Sequence, residues 1–434
     1  MVVNHINTFP YGGAAIAATR LHRQLNHSGF ESRFYYRKND RDIEFSNSGK
    51  LQFQSEANER TNPVARFFEK RRVNRIRKSY DQHLAKRDER LELFSMAELV
   101  EPSKLNSRQF ENQILHLHWL AFTADYPSFF ASIPTSTPVV WTLHDMNPMT
   151  GGCHYSNNCQ QFRSGCGNCP QILNPSRNDL SRIGFRIKQK ALSRINLTIV
   201  TPSRWMLELA KASPIFPKTT RFEHIQLGFD LNQFYPIDKA KARMHLSVST
   251  GKVVIGFGAE SIANHRKGFD LLIKALGKLN CKNEVECFVF GSGEIEGGKY
   301  DLPPIKNFGV INDIEQMRNF YSACDMVVVP SREDNQPQVG LEAMACGTSV
   351  IGFNAGGIAE YVRPGQTGYL AEAENDLDLA QQIEQLVEDQ NARQQMSKQC
   401  RDMMEDEFDI RKQAAKYANL YQELLKQHGS LVAA

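Results

Sequence analysis

The stretch from Pro330 to Val362, PSREDNQPQVGLEAMACGTSVIGFNAGGIAEYV, sets an acidic loop between an apolar run and a helix and closes on a Gly-Gly turn. Its carboxylates are acceptor-only groups, suited to gripping hydroxyl donors. The helix beginning near Pro337 has unpaired N–H groups in its first turn, which it offers to an anion. Upstream, GFGAESIANHRKGFDLLIKAL (256 to 276) carries the adjacent cations Arg266 and Lys267 between a Gly-rich turn and a helical stretch. Preorganised positive groups of this kind stabilise developing negative charge most where water is excluded.

The N-terminal half holds three further candidates. PVVWTLHD (138 to 145) ends an apolar run in His144-Asp145, at the carboxyl edge where open α/β sheets bind ligands. Tyr11-Gly12-Gly13-Ala14 opens a helix after the first strand, and its glycines permit close backbone approach to a ligand. GGCHYSNNCQQFRSGCGNCP contains Cys153, Cys159, Cys166 and Cys169. Only the last Cys-x2-Cys has the spacing typical of a structural zinc site, although four thiolates in one loop could complete a tetrahedron, with His154 as a spare ligand. Free or redox-active thiols are the alternative. His116 and His118 alternate in HLHW and read as lining or core rather than catalytic. Asp40 with Asp42, and Asp376 with Asp378, are poor metal candidates, the first pair in a charged loop and the second at a helix start.

Positioning these groups requires a particular scaffold. Short β-branched or apolar runs, ILHLH (114 to 118), PVVWTLH, LTIVTPS (197 to 203), VVIGFG (253 to 258), ECFVFG (286 to 291), MVVVPS (326 to 331) and SVIGF (349 to 353), alternate with amphipathic stretches. The alternation predicts α/β architecture, with parallel sheets flanked by helical crossovers. Phe269, Leu272, Ile273, Leu276 and Leu279 fall at helical spacing, as do Leu379, Ile383, Leu386 and Val387. At 434 residues the chain divides into two domains, and the rhythm restarts after HIQLGFDLNQFYP, whose Gly, Asn and Pro content marks a hinge. The expected division is 1–235, 236–408 and a C-terminal helix over 409–434.

Lys and Arg exceed Asp and Glu by four, so global charge names no partner, and nucleic acid is not expected. The first residues lack a basic and apolar leader, and no run approaches a membrane span, which reads as cytoplasmic. An odd cysteine total without a secretory leader argues against a disulfide scaffold. Residues 60–90 carry eleven Lys or Arg against four Asp or Glu, with Phe67, Phe68, Val73 and Ile76 interleaved. That segment is either a solvated helical insertion or an interfacial helix drawn to anionic lipid at the inner face of the membrane.

The Pro330–Val362 block resembles the donor-site signature of glycosyltransferase family 4, retaining enzymes of the GT-B fold. The resemblance covers nearly the whole chain, strongly over 250–365. It implies two Rossmann-like domains, a nucleotide-diphosphate sugar of UDP or GDP type as donor, and no divalent metal for catalysis. It also implies that the last helix crosses back to pack on the first domain. Two carboxylates eight positions apart are then Asp334, holding sugar hydroxyls, and Glu342, bonding the ribose. The family usually has Glu at the first position, and Glu333 is the alternative. Lys267 matches the Lys that neutralises the diphosphate, and Arg266 stands in for an Arg that the family places after the Gly-rich turn, where Ala259, Glu260 and Ser261 lie here. Gly291 and Gly293 line the nucleotide, Val310 receives the base, and Gln338 and Val339 belong to the donor-binding helix start. Gly12 and Gly13 lie where acceptor and donor phosphate meet, and His144 faces the transferred sugar. The implied reaction transfers a hexose-type sugar to a glycan or lipid-linked acceptor in cell-surface polysaccharide synthesis, with the leaving phosphate helping to deprotonate the acceptor hydroxyl. The alternatives are phosphorolysis or epimerisation on the same fold, or a non-catalytic scaffold for the cysteine loop.

Overall fold

A computed structural model describes residues 1–37, 43–45, 63–99, 110, 113–248, 251–295, 298 and 300–432. Asp40 and Asp42 lie outside the described residues, as do positions 60–62 of the basic segment. By contact the chain forms two compact units, Met1–Gln226 with Ala414–Ala434, and Leu227–Gln413.

The first unit is built on seven strands: β1 (Val2–Ile6), β2 (Glu31–Arg37), β3 (Ile43–Phe45), β4 (Ile114–Leu117), β5 (Val139–Thr142), β6 (Leu197–Thr201) and β7 (Arg221–His224). Their order is β3-β2-β1-β4-β5-β6-β7, parallel throughout except for β3, which lies antiparallel on the β2 edge. Strands β4, β5 and β6 are buried along their whole length, because helices cover both faces, and this is why they read as unbroken apolar runs. Trp141 of β5 is 1% exposed and packs against Tyr126 and Phe130. On the opposite face Val3, Ile114, Val140 and Val200 meet Ala414, Tyr417, Leu420, Tyr421 and Leu424 of the last helix, Ile410–Val432.

The second unit has six parallel strands: β8 (Val253–Ser261), β9 (Val285–Ser292), β10 (Ile305–Asn307), β11 (Met326–Val329), β12 (Ser349–Phe353) and β13 (Gly368–Ala371), in the order β10-β9-β8-β11-β12-β13. The two periodic helices form as the spacing predicts. Phe269–Lys278 buries Phe269, Leu272, Ile273 and Leu276, while Asp376–Glu388 buries Leu379, Ile383, Leu386 and Val387. Asn375 caps the latter by accepting from the Leu377 and Asp378 N–H groups, and Asp376 pairs with Lys278 at 2.7 Å. These acids therefore serve the helix start.

In both sheets the winding direction reverses at one place, between β1 and β4 in the first and between β8 and β11 in the second. Loops leaving the carboxyl ends of such neighbours diverge and open a crevice, where open α/β sheets bind ligands. The glycine turn at Gly12 follows β1, Arg266 and Lys267 follow β8, and Asp334 follows β11.

Candidate functional site

In the second unit the loops after β8 and β11 are tied together by backbone as well as side chains. Arg332 N–H donates to Arg266 O at 2.8 Å, and Gly357 N–H donates to Asp334 O at 2.9 Å. Two glycines make this approach possible. Gly268 has φ +73°, and a Cβ there would stand 1.9 Å from Pro330 O; Gly356 has φ +57°, and a Cβ would stand 2.0 Å from Asp334 O. Arg332 braces the same region through a two-pronged pair with Asp270, at 2.9 and 2.7 Å, and a bond to Glu374.

Asp334 occupies the centre of this junction. Its Oδ2 accepts from Arg266 Nη1 and Lys267 Nζ, both at 2.7 Å, and its Oδ1 accepts from Asn335 N–H. Burial alone would push the Asp334 carboxyl up, but Lys267 and Arg266 offset this and hold it well below the usual carboxylate range. Arg266 also donates to Glu333 O at 3.0 Å, so Glu333 joins through its backbone. Two cations around one carboxylate carry a formal surplus of one positive charge.

The helix Gln338–Ala345 starts beside this loop behind Pro337, a residue that offers no side-chain cap. Gln338 and Val339 form its first turn. Glu342 lies one turn on, 8% exposed, and its Oε2 accepts from Tyr321 Oη at 3.0 Å. The sequence reading missed Tyr321, which anchors this carboxylate from a helix with no motif of its own. It also missed Tyr361. That hydroxyl is buried without a hydrogen-bond partner among the described residues, and a Cβ on Gly340 would come 2.5 Å from it. Gly291 and Gly293 leave β9, and Val310, 58% exposed, follows β10. A bond from Gly291 N–H to Gly309 O joins the two loops at 2.8 Å.

In the first unit Gly12 caps the helix Gly13–His27 with φ 84°, and among the described residues no atom lies within 4 Å of where its Cβ would stand. His144 follows β5, and its Nε2 lies 3.0 Å from His118 Nδ1. Burial pulls His144 down to about 4, with Asp145 acting the other way. His154 is committed elsewhere than the cysteine loop: its Nδ1 bonds Asp145 Oδ2 at 2.6 Å and its Nε2 bonds Ser95 Oγ at 2.7 Å, while Trp119 Nε1–H donates to the same Asp145 oxygen at 2.7 Å. It is therefore no spare ligand. Cys153, Cys159, Cys166 and Cys169 line one small void with Phe94 and Phe162. Burial pushes the Cys166 and Cys169 thiols up to about 12 and about 11, and Cys153 further. Lys188 lies nearby, 0% exposed, donating to Asn147 O and Oδ1. Among the described residues, the group that brings three donor atoms within 4.8 Å of one another is not these cysteines but His5, His116 and His118.

Residues 257–403 match the model of glycosyl transferases group 1. The D-inositol 3-phosphate glycosyltransferase of Arthrobacter sp. (strain FB24) is 28% identical over 191 residues, which span 41% of this chain and 45% of that protein. The chain thus spans less than half the length of the first curated relatives it matches. Two solved structures align over 98% of the chain: sucrose-phosphate synthase from Thermosynechococcus elongatus, at 18% identity, TM-score 0.64 and 99% of its length, and Anabaena HepE in complex with UDP and glucose, at 15%, 0.61 and 100%. The fold is GT-B, two Rossmann-like domains, and the second unit carries a glycosyltransferase group 1 domain.

Asp334→Asn strands two largely buried cations, so it is expected to lower the unfolding free energy at neutral pH by about 3 kcal/mol. The Asp334 carboxyl is depressed in the folded state, so its contribution is complete above the unfolded value of about 4 and is lost as pH falls through the folded one. Urea melts of both proteins from about pH 7 to 3 should therefore show a constant gap that narrows only below about pH 4.

Proposed function

We propose that the chain is a retaining glycosyltransferase, moving a hexose-type sugar from a nucleotide-diphosphate donor of UDP or GDP type to a glycan or lipid-linked glycan, in cell-surface polysaccharide synthesis. The observation that carries this reading is the Asp334 carboxylate holding Arg266 and Lys267 together beside the start of Gln338–Ala345.

The chemistry follows from charge. Cleavage of the anomeric bond leaves charge on the departing β-phosphate, which Lys267, Arg266 and the helix N–H groups of Gln338 and Val339 meet without reorganising. Asp334 is kept ionised, an acceptor for sugar hydroxyls, and Glu342 is an acceptor for the ribose. Gly291, Gly293 and Val310 take the nucleotide. With the leaving diphosphate neutralised by side chains and backbone, transfer needs no divalent ion. In the first unit, His144, Gly12 and Gly13 serve the sugar and acceptor. The leaving phosphate accepts the acceptor's proton, and configuration is retained.

Two accessory features belong to this reading. The helix Pro63–His83 presents Phe67 and Phe68, 55% and 61% exposed, with Arg71 over the Phe67 ring, while Ile76 turns inward at 5%. Exposed aromatics beside basic residues suit a surface of anionic lipid, each cation near it adding about 1 kcal/mol. Among the described residues no helix is long and apolar enough to cross a membrane. The four cysteines would hold a structural zinc as thiolates, with Lys188 as buried countercharge.

A thermal-shift panel of UDP-, GDP- and ADP-sugars tests the donor, since a ligand that binds only the native state raises the melting point. Stabilisation by one sugar nucleotide, unchanged by EDTA and lost in Lys267→Met, is the expected result; no shift with any favours the scaffold reading. Metal analysis of the purified protein should find one zinc per chain, absent in Cys166→Ser. Flotation with vesicles containing phosphatidylserine should recover the protein, and a Phe67→Ser/Phe68→Ser variant should remain in the soluble fraction.

A further inference from the structure

Two buried histidines form a hydrogen-bonded row behind His144. His5 Nδ1 lies 3.0 Å from His118 Nε2, and His118 Nδ1 lies 3.0 Å from His144 Nε2. His5 and His118 are 0% and 2% exposed. Burial, reinforced by neighbouring imidazoles, pulls both well below the ordinary histidine value, so each is neutral at neutral pH.

A neutral imidazole has one N–H and one lone pair. Because both nitrogens of His118 face another imidazole nitrogen, one must donate and the other accept. The protons of the whole row therefore point one way. If they point towards His5, its Nδ1 accepts and its proton must sit on Nε2, a buried atom with no hydrogen-bond partner among the described residues. If they point towards His144, that orphaned atom is only a lone pair. Orphaned buried N–H groups are rare, whereas an under-used acceptor is tolerated more often.

We infer that His5 and His118 are positioning residues that lock neutral His144 as the Nδ1–H tautomer, its Nε2 lone pair already filled by His118. His144 Nδ1 then acts only as a hydrogen-bond donor, and its Nε2 takes no proton from the acceptor. This role for His144 rests on the proposed function; its tautomer does not.

His5, His116 and His118 are also the histidines whose donor atoms cluster. A metal is disfavoured there because His116 already uses both nitrogens, Nδ1 with Tyr421 Oη at 2.7 Å and Nε2 with Thr142 Oγ1 at 2.8 Å.

The test is a long-range 1H–15N correlation spectrum of the full chain labelled with 15N-histidine, near neutral pH, with His144 assigned by its loss in His144→Gln. The expected spectrum gives His144 a pyrrole-type Nδ1 and a pyridine-type Nε2. His118→Phe should convert His144 to a tautomer mixture. His5→Asn, whose amide can donate in place of Nδ1–H, should preserve the wild-type pattern, and His5→Asp, whose carboxylate can only accept, should reverse it. A pyrrole-type Nε2 at His144 in the wild-type protein overturns the inference, as does an unchanged pattern in a natively folded His118→Phe. The wild-type spectrum decides even if a variant fails to fold. It also stands apart from donor binding: a locked tautomer with no sugar-nucleotide shift would fault the proposed function alone.

Discussion

One carboxylate shared between two cations organises the carboxyl edge of the second unit's sheet. Asp334 sits where the loop after β11 crosses the loop after β8, and its two 2.7 Å bonds keep Arg266 and Lys267 converged although like charges repel. Removing that carboxylate from water is costly, and close pairing offsets the cost. The surrounding bonds follow from the same requirement. Arg332 and its acids fix the loop from outside, and the Gly356–Gly357 turn clasps the Asp334 carbonyl from the other side.

The sheets set where such a junction can form. Reversal of winding between β8 and β11 leaves their carboxyl ends without a crossover above them, so polar groups there need not be roofed by apolar helices. The equivalent gap between β1 and β4 carries the glycine turn at Gly12 and, a strand further on, His144. Chemistry-bearing residues collect at both gaps because elsewhere the strands are covered on both faces, and an unpaired polar group would lose its water.

The central strands were legible because full burial demands unbroken apolar runs. Strands β7 and β10 were not: their residues are half-buried or exposed, and RFEH and IKN contain no such run. The candidate site was legible where spacing along the chain encodes it, as in the block holding Asp334 and Glu342. Contacts between distant segments left no local pattern. Tyr321 reaches Glu342 from another helix, Tyr361 lies beneath Gly340, and His154 turns to Asp145 rather than to the cysteines near it in sequence. The row from His5 through His118 to His144 joins three strands, so alternation in HLHW identified core positions but not their bonding.

The first unit draws its core from both ends of the chain. Val3, Ile114 and Val140 are buried against Tyr417, Leu420 and Tyr421, and the hydroxyls of Tyr421 and Tyr417 are bonded to His116 and Thr142. The second unit, Leu227–Gln413, is one continuous segment. During synthesis at about 5–20 residues per second, the second unit can therefore close as soon as its own segment emerges, while the first waits with an apolar sheet face uncovered. The order of maturation is inverted relative to the order of translation, and the unfinished N-terminal sheet is the species most exposed to aggregation until the last helix arrives.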